Sequence, residues 1–181
     1  MAEGSNGAML EHLWNGWRAT YVGSVPAPDA ATEPNGSVFI QILASGMSDE
    51  EANIVWRGEN CFAILNAFPY STGHLLVLPY REVADLEALD ELESMEMWAA
   101  VTDAVRAVKA AYHPEGVNVG INLGRPAGGS VSQHLHVHVV PRWTGDSNFM
   151  TAVANTRTLP EPLADTATRV RDAWPREHAG P

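Results

Sequence analysis

The sequence is poor in cysteine and in basic residues, and it has no long hydrophobic run. Cys61 is its only cysteine, which excludes an internal disulfide framework and is typical of a reducing compartment. The 11 Lys and Arg against 22 Asp and Glu give a formal net charge of −11, which opposes nucleic acids at long range. No stretch reaches the roughly 18 apolar residues of a membrane helix, and residues 1–10 show no signal-peptide pattern. We therefore expect a cytoplasmic protein that binds neither nucleic acid nor membrane.

Length and composition indicate one globular domain with an N-terminal appendage. The chain has 181 residues, 45% of them hydrophobic, with six tryptophans, which suffices for one core. Residues 10–21 place Leu, Trp and Tyr side chains at helical spacing, and residues 23–36 (GSVPAPDAATEPNG) have the composition of a flexible connection. We therefore divide the chain into an N-terminal helix with its linker, 1–36, and a domain at 37–181 that ends in a helical extension.

Periodicity, caps and turn residues predict an α+β fold. The predicted helices cover residues 48–53, 91–112 and 161–174, and the predicted strands cover residues 61–66, 74–79, 117–123 and 134–141. The first of these helices starts with the capping-box pair Ser48 and Glu51. The expected buried faces are Leu92, Met95, Ala99, Val105, Val108 and Tyr112 in the long helix, and Leu163, Ala167, Val170 and Trp174 in the last. Two strands before and two strands after the long helix along the sequence predict a sheet with that helix packed on one face.

Three of the seven histidines stand at every second position of one predicted strand. Because the side chains of a strand alternate between its faces, His134, His136 and His138 are expected on one face, with Leu135 and Val137 pointing into the core. Exposed surface histidines are a poor explanation, since the solvated faces of strands favour Thr and Tyr. The pattern therefore indicates either a metal site or catalysis by imidazole.

The geometry of a strand disfavours a single metal ion held by all three histidines. The Cα atoms of His134 and His138 are expected about 13 Å apart at a rise of about 3.3 Å per residue, whereas a Zn–N bond is about 2 Å. Two of the rings could bind one ion with further ligands, but neither Cys61 nor His74 stands in ligand-like spacing to them. A neutral imidazole, with an ordinary pKa of about 6.5, is a good nucleophile at neutral pH. We expect His136 to be that nucleophile, and no resident metal.

The run from His134 to Val140 resembles the signature His-φ-His-φ-His-φ-φ, with φ apolar, of the histidine-triad superfamily of nucleotide hydrolases and transferases. The resemblance covers about residues 54–150. Residues 62–79 (FAILNAFPYSTGHLLVLP) are similar to the family's nucleoside-binding strand pair, and residues 122–130 (NLGRPAGGS) to its phosphate-side loop. The resemblance implies an antiparallel sheet and the transfer of a nucleoside monophosphate through a nucleotidyl-histidine intermediate.

The resemblance also implies roles for single residues. His136 attacks the α-phosphate and His138 donates to the phosphate oxygens. His134 lies beside the leaving group, and its carbonyl fixes the tautomer of His136. The residues implied around the substrate are Asn66 at the ribose, Phe62, Ile64 and Leu65 near the base, and Asn122, Gly129 and Ser130 at the phosphates. Further expected neighbours are Trp143 and Asn148 closing the pocket, Arg125 and Arg142 steering phosphates, and His74 near the chemistry but not at it. Simple core packing explains the apolar residues and Trp143 about equally well.

Two departures from the family pattern bear on the group that accepts the nucleotide. Many hydrolases of the superfamily have Gln where this chain has Ser130, and other phosphorylases have Gln in place of the third histidine, where this chain keeps His138. The sequence is more similar to an actinobacterial branch of diadenosine tetraphosphate phosphorylases, which shares the 122–130 segment, the intact triad and the following PRWTGDSNF. Ser130 is shorter than Gln and leaves room for an inorganic phosphate that glycine amides would hold.

We therefore expect a homodimer or larger homo-oligomer that cleaves diadenosine tetraphosphate with inorganic phosphate into ATP and ADP. The covalent step needs no cofactor, and Mg²⁺ is expected only as a companion of the polyphosphate. The first alternative is hydrolysis of dinucleoside polyphosphates or nucleoside phosphoramidates, with water as the acceptor. The second, of another class, is a nucleotide- or metal-binding module without turnover.

Overall fold

A five-stranded antiparallel sheet lies at the centre of the protein. The computed structural model describes residues 36–128, 131–146 and 161–175. The strands are β1 (Ile54–Arg57), β2 (Cys61–Leu65), β3 (Leu75–Pro79), β4 (Gly116–Ile121) and β5 (Val137–Arg142), in the spatial order β1-β2-β3-β5-β4. The described helices are α1 (Val38–Ala44), α2 (Asp49–Ala52), α3 (Glu91–Tyr112) and α4 (Leu163–Asp172). The predicted α+β class, an antiparallel sheet with a long helix, is confirmed.

The two continuous apolar runs of the sequence pair as β2 and β3. They are antiparallel, from Cys61 opposite Pro79 to Leu65 opposite Leu75, and every residue in them is buried. One face of the pair packs against α3, and the other packs against Phe39 of α1. Because both faces are covered, these strands are apolar throughout and do not alternate between apolar and polar residues.

Helix α3 has the predicted ends. Asp90 accepts from the Glu93 amide, and the Glu93 side chain accepts from the Asp90 amide, which completes a capping box. At the other end His113 adopts the left-handed conformation at φ 47° and its amide donates to the Lys109 carbonyl. Both terminal turns therefore have partners for backbone groups that a helix leaves unpaired.

The face that α3 buries differs from the predicted one. The buried apolar side chains are Met97, Ala100, Val101, Ala104, Ala107 and Val108. Of the predicted set, Leu92, Met95 and Ala99 are exposed, and Val105 and Tyr112 are partly buried against the core. Small residues let a helix approach a sheet closely and pack it densely. The alanine-rich face therefore lies on the sheet, and the larger Leu92 and Met95, 66% and 65% exposed, lie on the outside.

The remaining elements were predicted unevenly. The capping box of Ser48 and Glu51 opens α2 as predicted, and in α4 the residues Ala167 and Val170 join the core, as does Trp174 just after the helix. Helix α1 and strand β1 were not predicted. The predicted N-terminal helix and most of its linker lie outside the described residues. In the described part of the chain, no helix combines the length and the apolar character needed to cross a membrane.

Strand β5 is shorter than predicted, because it begins at Val137 and not at His134. Ladder pairing with β3 starts where Val77 faces Val137. Before Val137 the backbone does not pair with β3: the Leu135 amide donates to the carbonyl of Val83, which follows β3, at 2.6 Å. The expected alternation nevertheless continues through this segment, and Leu135 and Val137 both point into the core under α3.

Candidate active site

A cavity of about 500 Å³ opens on the α1 side of the sheet, next to the histidines. Its lining comes from α1, the end of α2, β2, β3, the loop that joins these two strands, the segment around β5 and the start of α4. The lining residues are Val38, Phe39, Ile42, Ala52, Asn53, Ile64, Leu65, Asn66, Ala67, Phe68, Tyr70, Leu76, Gly128, Val131, His136, His138 and Leu163. A mostly apolar cavity with a few polar groups at one side has the usual form of a small-molecule site.

The backbone holds the ring of His136 in one tautomer. Its Nδ1 donates to the carbonyl oxygen of His134 over 2.7 Å, so the proton is on Nδ1 and the lone pair is on Nε2. Burial lowers the pKa of His136 below 6.5, although the hydrogen bond to the carbonyl opposes this effect. At neutral pH, His136 therefore presents an unprotonated nitrogen, and its side chain lines the cavity.

A further histidine, His74, sets the tautomer of His138. The Tyr70 amide donates to Nδ1 of His74 at 3.0 Å, so the proton of His74 is on Nε2, and this nitrogen donates to Nδ1 of His138 at 2.9 Å. The proton of His138 is therefore on Nε2. Burial, helped by the neighbouring His136, lowers the pKa of His138 to about 4. His138 is thus a neutral N–H donor at the cavity, and His74 lies behind it, as expected.

Asn66 and Asn122 both lie beside imidazoles. Oδ1 of Asn66 accepts from the Phe68 amide at 3.0 Å, and its Nδ2 donates to Nδ1 of His74 at 3.3 Å. Nδ2 of Asn122 lies 3.4 Å from Nε2 of His138. Because that nitrogen of His138 carries a proton, an Asn122 amide rotated by 180° would accept it through Oδ1. The two asparagines therefore connect the strand-pair loop and the end of β4 to the same pair of histidines.

The ring of His134 has a different place from the one expected. It is fully buried and is not part of the cavity lining. Nε2 of His134 donates to the Pro79 carbonyl at 2.8 Å, and Nδ1 accepts from the Ser37 hydroxyl at 2.7 Å. With both ring nitrogens bonded to protein groups, this side chain cannot donate to a leaving group in the arrangement seen. The expected role of its backbone carbonyl, at Nδ1 of His136, agrees with the structure.

The residues expected near the base separate into two groups. Ile64 and Leu65 line the cavity next to Asn66. Phe62 does not, because it is fully buried and stacks on Tyr80 with 5.1 Å between ring centroids. Phe62 therefore belongs to the core beneath the site, which corrects its expected place near the base.

Residues expected around the phosphates are only partly within the described chain. Gly128 lines the cavity, and its φ of 102° is one that glycine adopts readily. Gly129, Ser130 and Asn148 lie outside the described residues. Arg125 is exposed on a short 3₁₀ turn.

Arg142, expected to steer phosphates, ends β5, and Trp143, expected to close the pocket, follows it. Arg142 forms an ion pair with Asp146 at 2.6 Å and also donates to Asn118 at 3.0 Å. Its charge is therefore compensated within the protein, and it does not line the cavity. Trp143 is partly buried and does not line the cavity either, so the structure does not bring it to the histidines.

Helix α1 contributes cavity residues that the sequence analysis missed. Val38, Phe39 and Ile42 line the cavity, and the Phe39 ring lies 5.4 Å from that of His134 and 5.5 Å from that of His136. The signal was present in SVFIQILA, where Ser37 precedes apolar residues at helical spacing. A helix of seven residues has only about two turns, so its periodic signal in the sequence is weak.

A metal centre has no support from the described ranges. Within residues 36–128, 131–146 and 161–175, no group of three or more His, Cys, Asp or Glu is arranged to hold an ion. Two of the ring nitrogens that would have to ligate a metal, Nδ1 of His136 and Nδ1 of His138, are also hydrogen-bonded to protein groups.

The chain is similar in sequence and in fold to known proteins. The model of the HIT domain matches residues 48–145. A Mycobacterium tuberculosis protein named AP-4-A phosphorylase is 43% identical over 171 residues, which is 93% of this chain and 86% of that protein. The bis(5'-adenosyl)-triphosphatase of Dictyostelium discoideum is 30% identical over 92 residues, 51% of this chain and 61% of the relative. The crystal structure of a zinc-bound histidine triad family protein from Mycobacterium smegmatis has a TM-score of 0.61 at 29% identity, covering 76% of this chain and 91% of that one.

Proposed function

The chain belongs to the HIT family, and from that membership we propose that it is a phosphorylase of diadenosine tetraphosphate, forming ATP and ADP. The observation that carries the proposal is the tautomer of His136. Its Nδ1–H is held by the His134 carbonyl at 2.7 Å, which leaves Nε2 as an unprotonated nucleophile on a cavity wall. A nitrogen nucleophile beside a neutral N–H donor is the arrangement that transfer of a nucleotidyl group requires.

The first step forms a covalent bond to His136. Its Nε2 attacks the α-phosphorus of one adenosine, a P–N bond forms, and the P–O bond to the remaining polyphosphate breaks, which releases ATP. The Nε2–H of His138 donates to an oxygen of the attacked phosphate and stabilises the charge that develops there. Asn66 and the apolar lining formed by Ile64 and Ile42 hold the nucleoside.

The second step transfers the nucleotide to inorganic phosphate. An oxygen of phosphate attacks the same phosphorus, the P–N bond breaks, and ADP leaves with His136 restored. Phosphate is proposed as the acceptor because Ser130 is shorter than the Gln that many of the family's hydrolases have at this position. The relative named AP-4-A phosphorylase, 43% identical over most of the chain, supports the same acceptor. Mg²⁺ is proposed only as a companion of the polyphosphate.

Hydrolysis is the second candidate function. A relative at 30% identity is named bis(5'-adenosyl)-triphosphatase, so the family includes members whose names describe cleavage by water. With water as the acceptor, the same intermediate would give AMP in place of ADP. The two reactions share every residue of the first step and differ only in what reaches the phosphorus in the second.

The test incubates the protein with diadenosine tetraphosphate, with inorganic phosphate or with sulfate at matched ionic strength, and separates the nucleotides by chromatography. We expect ATP and ADP with phosphate, at a rate that saturates with phosphate concentration, and little turnover with sulfate. ATP and AMP in equal amounts under both conditions would contradict phosphorolysis and support hydrolysis. Binding of AMP without any product would instead favour a nucleotide-binding module.

A further inference from the structure

A buried polar cluster joins the start of α1 to the segment that carries the triad. Ser37 and His134 are both fully buried, and the Ser37 hydroxyl lies 2.7 Å from Nδ1 of His134. The Ser37 amide donates to a carboxylate oxygen of Glu82 at 2.7 Å. On its other side the His134 ring donates to the Pro79 carbonyl at 2.8 Å. Three separate parts of the chain, at Ser37, at residues 79–82 and at His134, therefore meet in one cluster whose histidine does not line the cavity.

The direction of each hydrogen bond in this cluster follows from chemistry. A carbonyl oxygen only accepts, so Nε2 of His134 carries the proton and donates to Pro79. Its Nδ1 is then an acceptor, and the Ser37 hydroxyl must be the donor. Burial lowers the pKa of His134, which keeps the ring neutral and preserves this arrangement at neutral pH. The ring orientation of His134 is thus set at both nitrogens.

The same residue supplies the carbonyl that fixes the tautomer of His136. That carbonyl is 2.7 Å from Nδ1 of His136, and it lies in the irregular segment that precedes β5, where no strand ladder holds it. Two sets of bonds hold this peptide group: the Leu135 amide, which belongs to the same peptide as the carbonyl, donates to the Val83 carbonyl at 2.6 Å, and the His134 ring adds the two hydrogen bonds described above. The Phe39 ring of α1 packs against the imidazoles of both His134 and His136, with ring centroids 5.4 and 5.5 Å apart.

We propose that Ser37 is a positioning residue that holds the nucleophile His136 through His134 and connects it to the cavity wall formed by α1. This inference rests on the proposed function in so far as His136 is the nucleophile. Ser37 also caps α1, because its hydroxyl oxygen accepts from the Ile40 amide at 3.3 Å. The same side chain therefore bonds both the helix that lines the cavity and the histidine that precedes His136. Loss of the hydroxyl removes the donor that Ser37, among the described residues, provides to Nδ1 of His134.

The test compares Ser37→Ala and Ser37→Gly with Ser48→Ala. Ser48 is also an N-cap serine, of α2, but it bonds no histidine, so it controls for the loss of a cap. The glycine variant removes the hydroxyl with less cost to the helix, because glycine is accepted at N-caps. We expect kcat of both Ser37 variants to fall about 10- to 100-fold, as when a reacting group is slightly misplaced, with KM changed less than about twofold. Ser48→Ala should leave kcat unchanged.

A second measurement reads the histidines directly. In long-range ¹H–¹⁵N spectra of the wild type, we expect bare Nδ1 and protonated Nε2 for His134, and the reverse for His136. In the Ser37 variants the His136 signals should show a mixture of tautomers. An unchanged kcat in a folded Ser37 variant, an equal loss in Ser48→Ala, or a wild-type His134 protonated on Nδ1 would overturn the proposal. If the wild type transfers no nucleotide, the proposed function fails, while the spectra still report whether Ser37 controls the His136 ring.

Discussion

At the scale of single residues, the site depends on four histidines that are all neutral but differ in where the proton lies. His136 has its proton on Nδ1, whereas His134, His74 and His138 have theirs on Nε2. Each tautomer follows from a fixed partner: a carbonyl, a hydroxyl, a backbone amide or another imidazole. Under the proposed function, the same residue type thereby provides a nucleophile, an N–H donor and two supports.

Replacement of His136 by Asn should abolish nucleotide transfer. Without Nε2 no P–N bond can form, so we expect a loss of at least about 10³-fold in kcat, of the order seen when an activated nucleophile is removed. AMP binding, measured by calorimetry, should persist because the apolar residues that line the cavity are unchanged. The matched control is His113→Asn, at the C-terminus of α3, where the left-handed backbone suits Asn. Residual transfer close to the wild-type rate would show that another group is the nucleophile.

Replacement of His138 by Ala should slow the reaction less severely. It removes one donor to the attacked phosphate, and loss of a single such donor costs about 10²- to 10³-fold in kcat. KM for the nucleotide should change little, since the base and ribose contacts lie elsewhere in the cavity. Steady-state kinetics on diadenosine tetraphosphate would check this. A large rise in KM at constant kcat would assign His138 to binding and not to stabilisation of the transition state.

At the scale of elements, α3 is separated from the chemistry by the sheet. Its buried residues contact β2, β3 and β5 from the face opposite the cavity. Its N-terminus is held by the capping box of Asp90 and Glu93, and Glu93 is also paired with Arg81 at 2.6 Å. Changes at this end of α3 should therefore affect stability without affecting the site.

The variant Asp90→Ala should destabilise the protein by about 1 kcal/mol, the typical cost of losing an N-cap side chain. Urea unfolding followed by circular dichroism would give the change in free energy. Thr102→Ala, an exposed substitution in the middle of the same helix, should change it by less than about 0.5 kcal/mol. Activity at 25 °C should match the wild type in both variants. A loss of kcat in Asp90→Ala would indicate coupling between α3 and the cavity across the sheet.

At the scale of the whole molecule, burial of the triad predicts a loss of stability in mild acid. The pKa of His134, of His136 and of His138 is lowered in the folded state, the last to about 4. Between these values and the ordinary 6.5, the unfolded chain binds protons that the folded chain does not. Stability should therefore be complete above about pH 6.5 and should decline as the pH falls below it.

Urea midpoints measured from pH 8 to pH 5 would check this decline. This range stays above 4.5 and 3.8, the ordinary pKa values of Glu93 and Asp146. The pKa of each is lowered in the folded state, so the stabilisation that each provides is lost only at stronger acidity. His138→Ala removes one of the three contributions and should flatten the dependence on pH. A midpoint that stays constant from pH 8 to pH 5 would show that these imidazoles are not shielded from solvent.

The predicted homo-oligomer stays a prediction, as does the cytoplasmic location. Sedimentation equilibrium would measure the oligomeric state directly. A mass of 19.6 kDa, that of one chain, would contradict the expected dimer or larger assembly.

Local patterns were enough to predict much of the fold. The run from residue 91 to 112, which contains no Gly or Pro and is followed by Pro114 and Gly116, defined α3, and two apolar runs defined β2 and β3. The period of two across the histidines correctly separated them from Leu135 and Val137, although the segment before Val137 is not a strand. Such features depend on neighbours within a few residues, which is why the sequence alone contains them.

Only the tertiary structure decided which partners each histidine ring bonds. His74 and His138 are 64 residues apart, and Ser37 and His134 are 97 apart, so no local pattern could pair them. The buried face of α3 also follows the helical period, but it consists largely of alanines, and close packing against the sheet selects it over the larger side chains of Leu92 and Met95. The sequence by itself determined that three imidazoles share one face. Packing then determined which ring nitrogen of each carries the proton and which rings line the cavity, because the tautomer of a neutral imidazole depends on the partners that surround it in space.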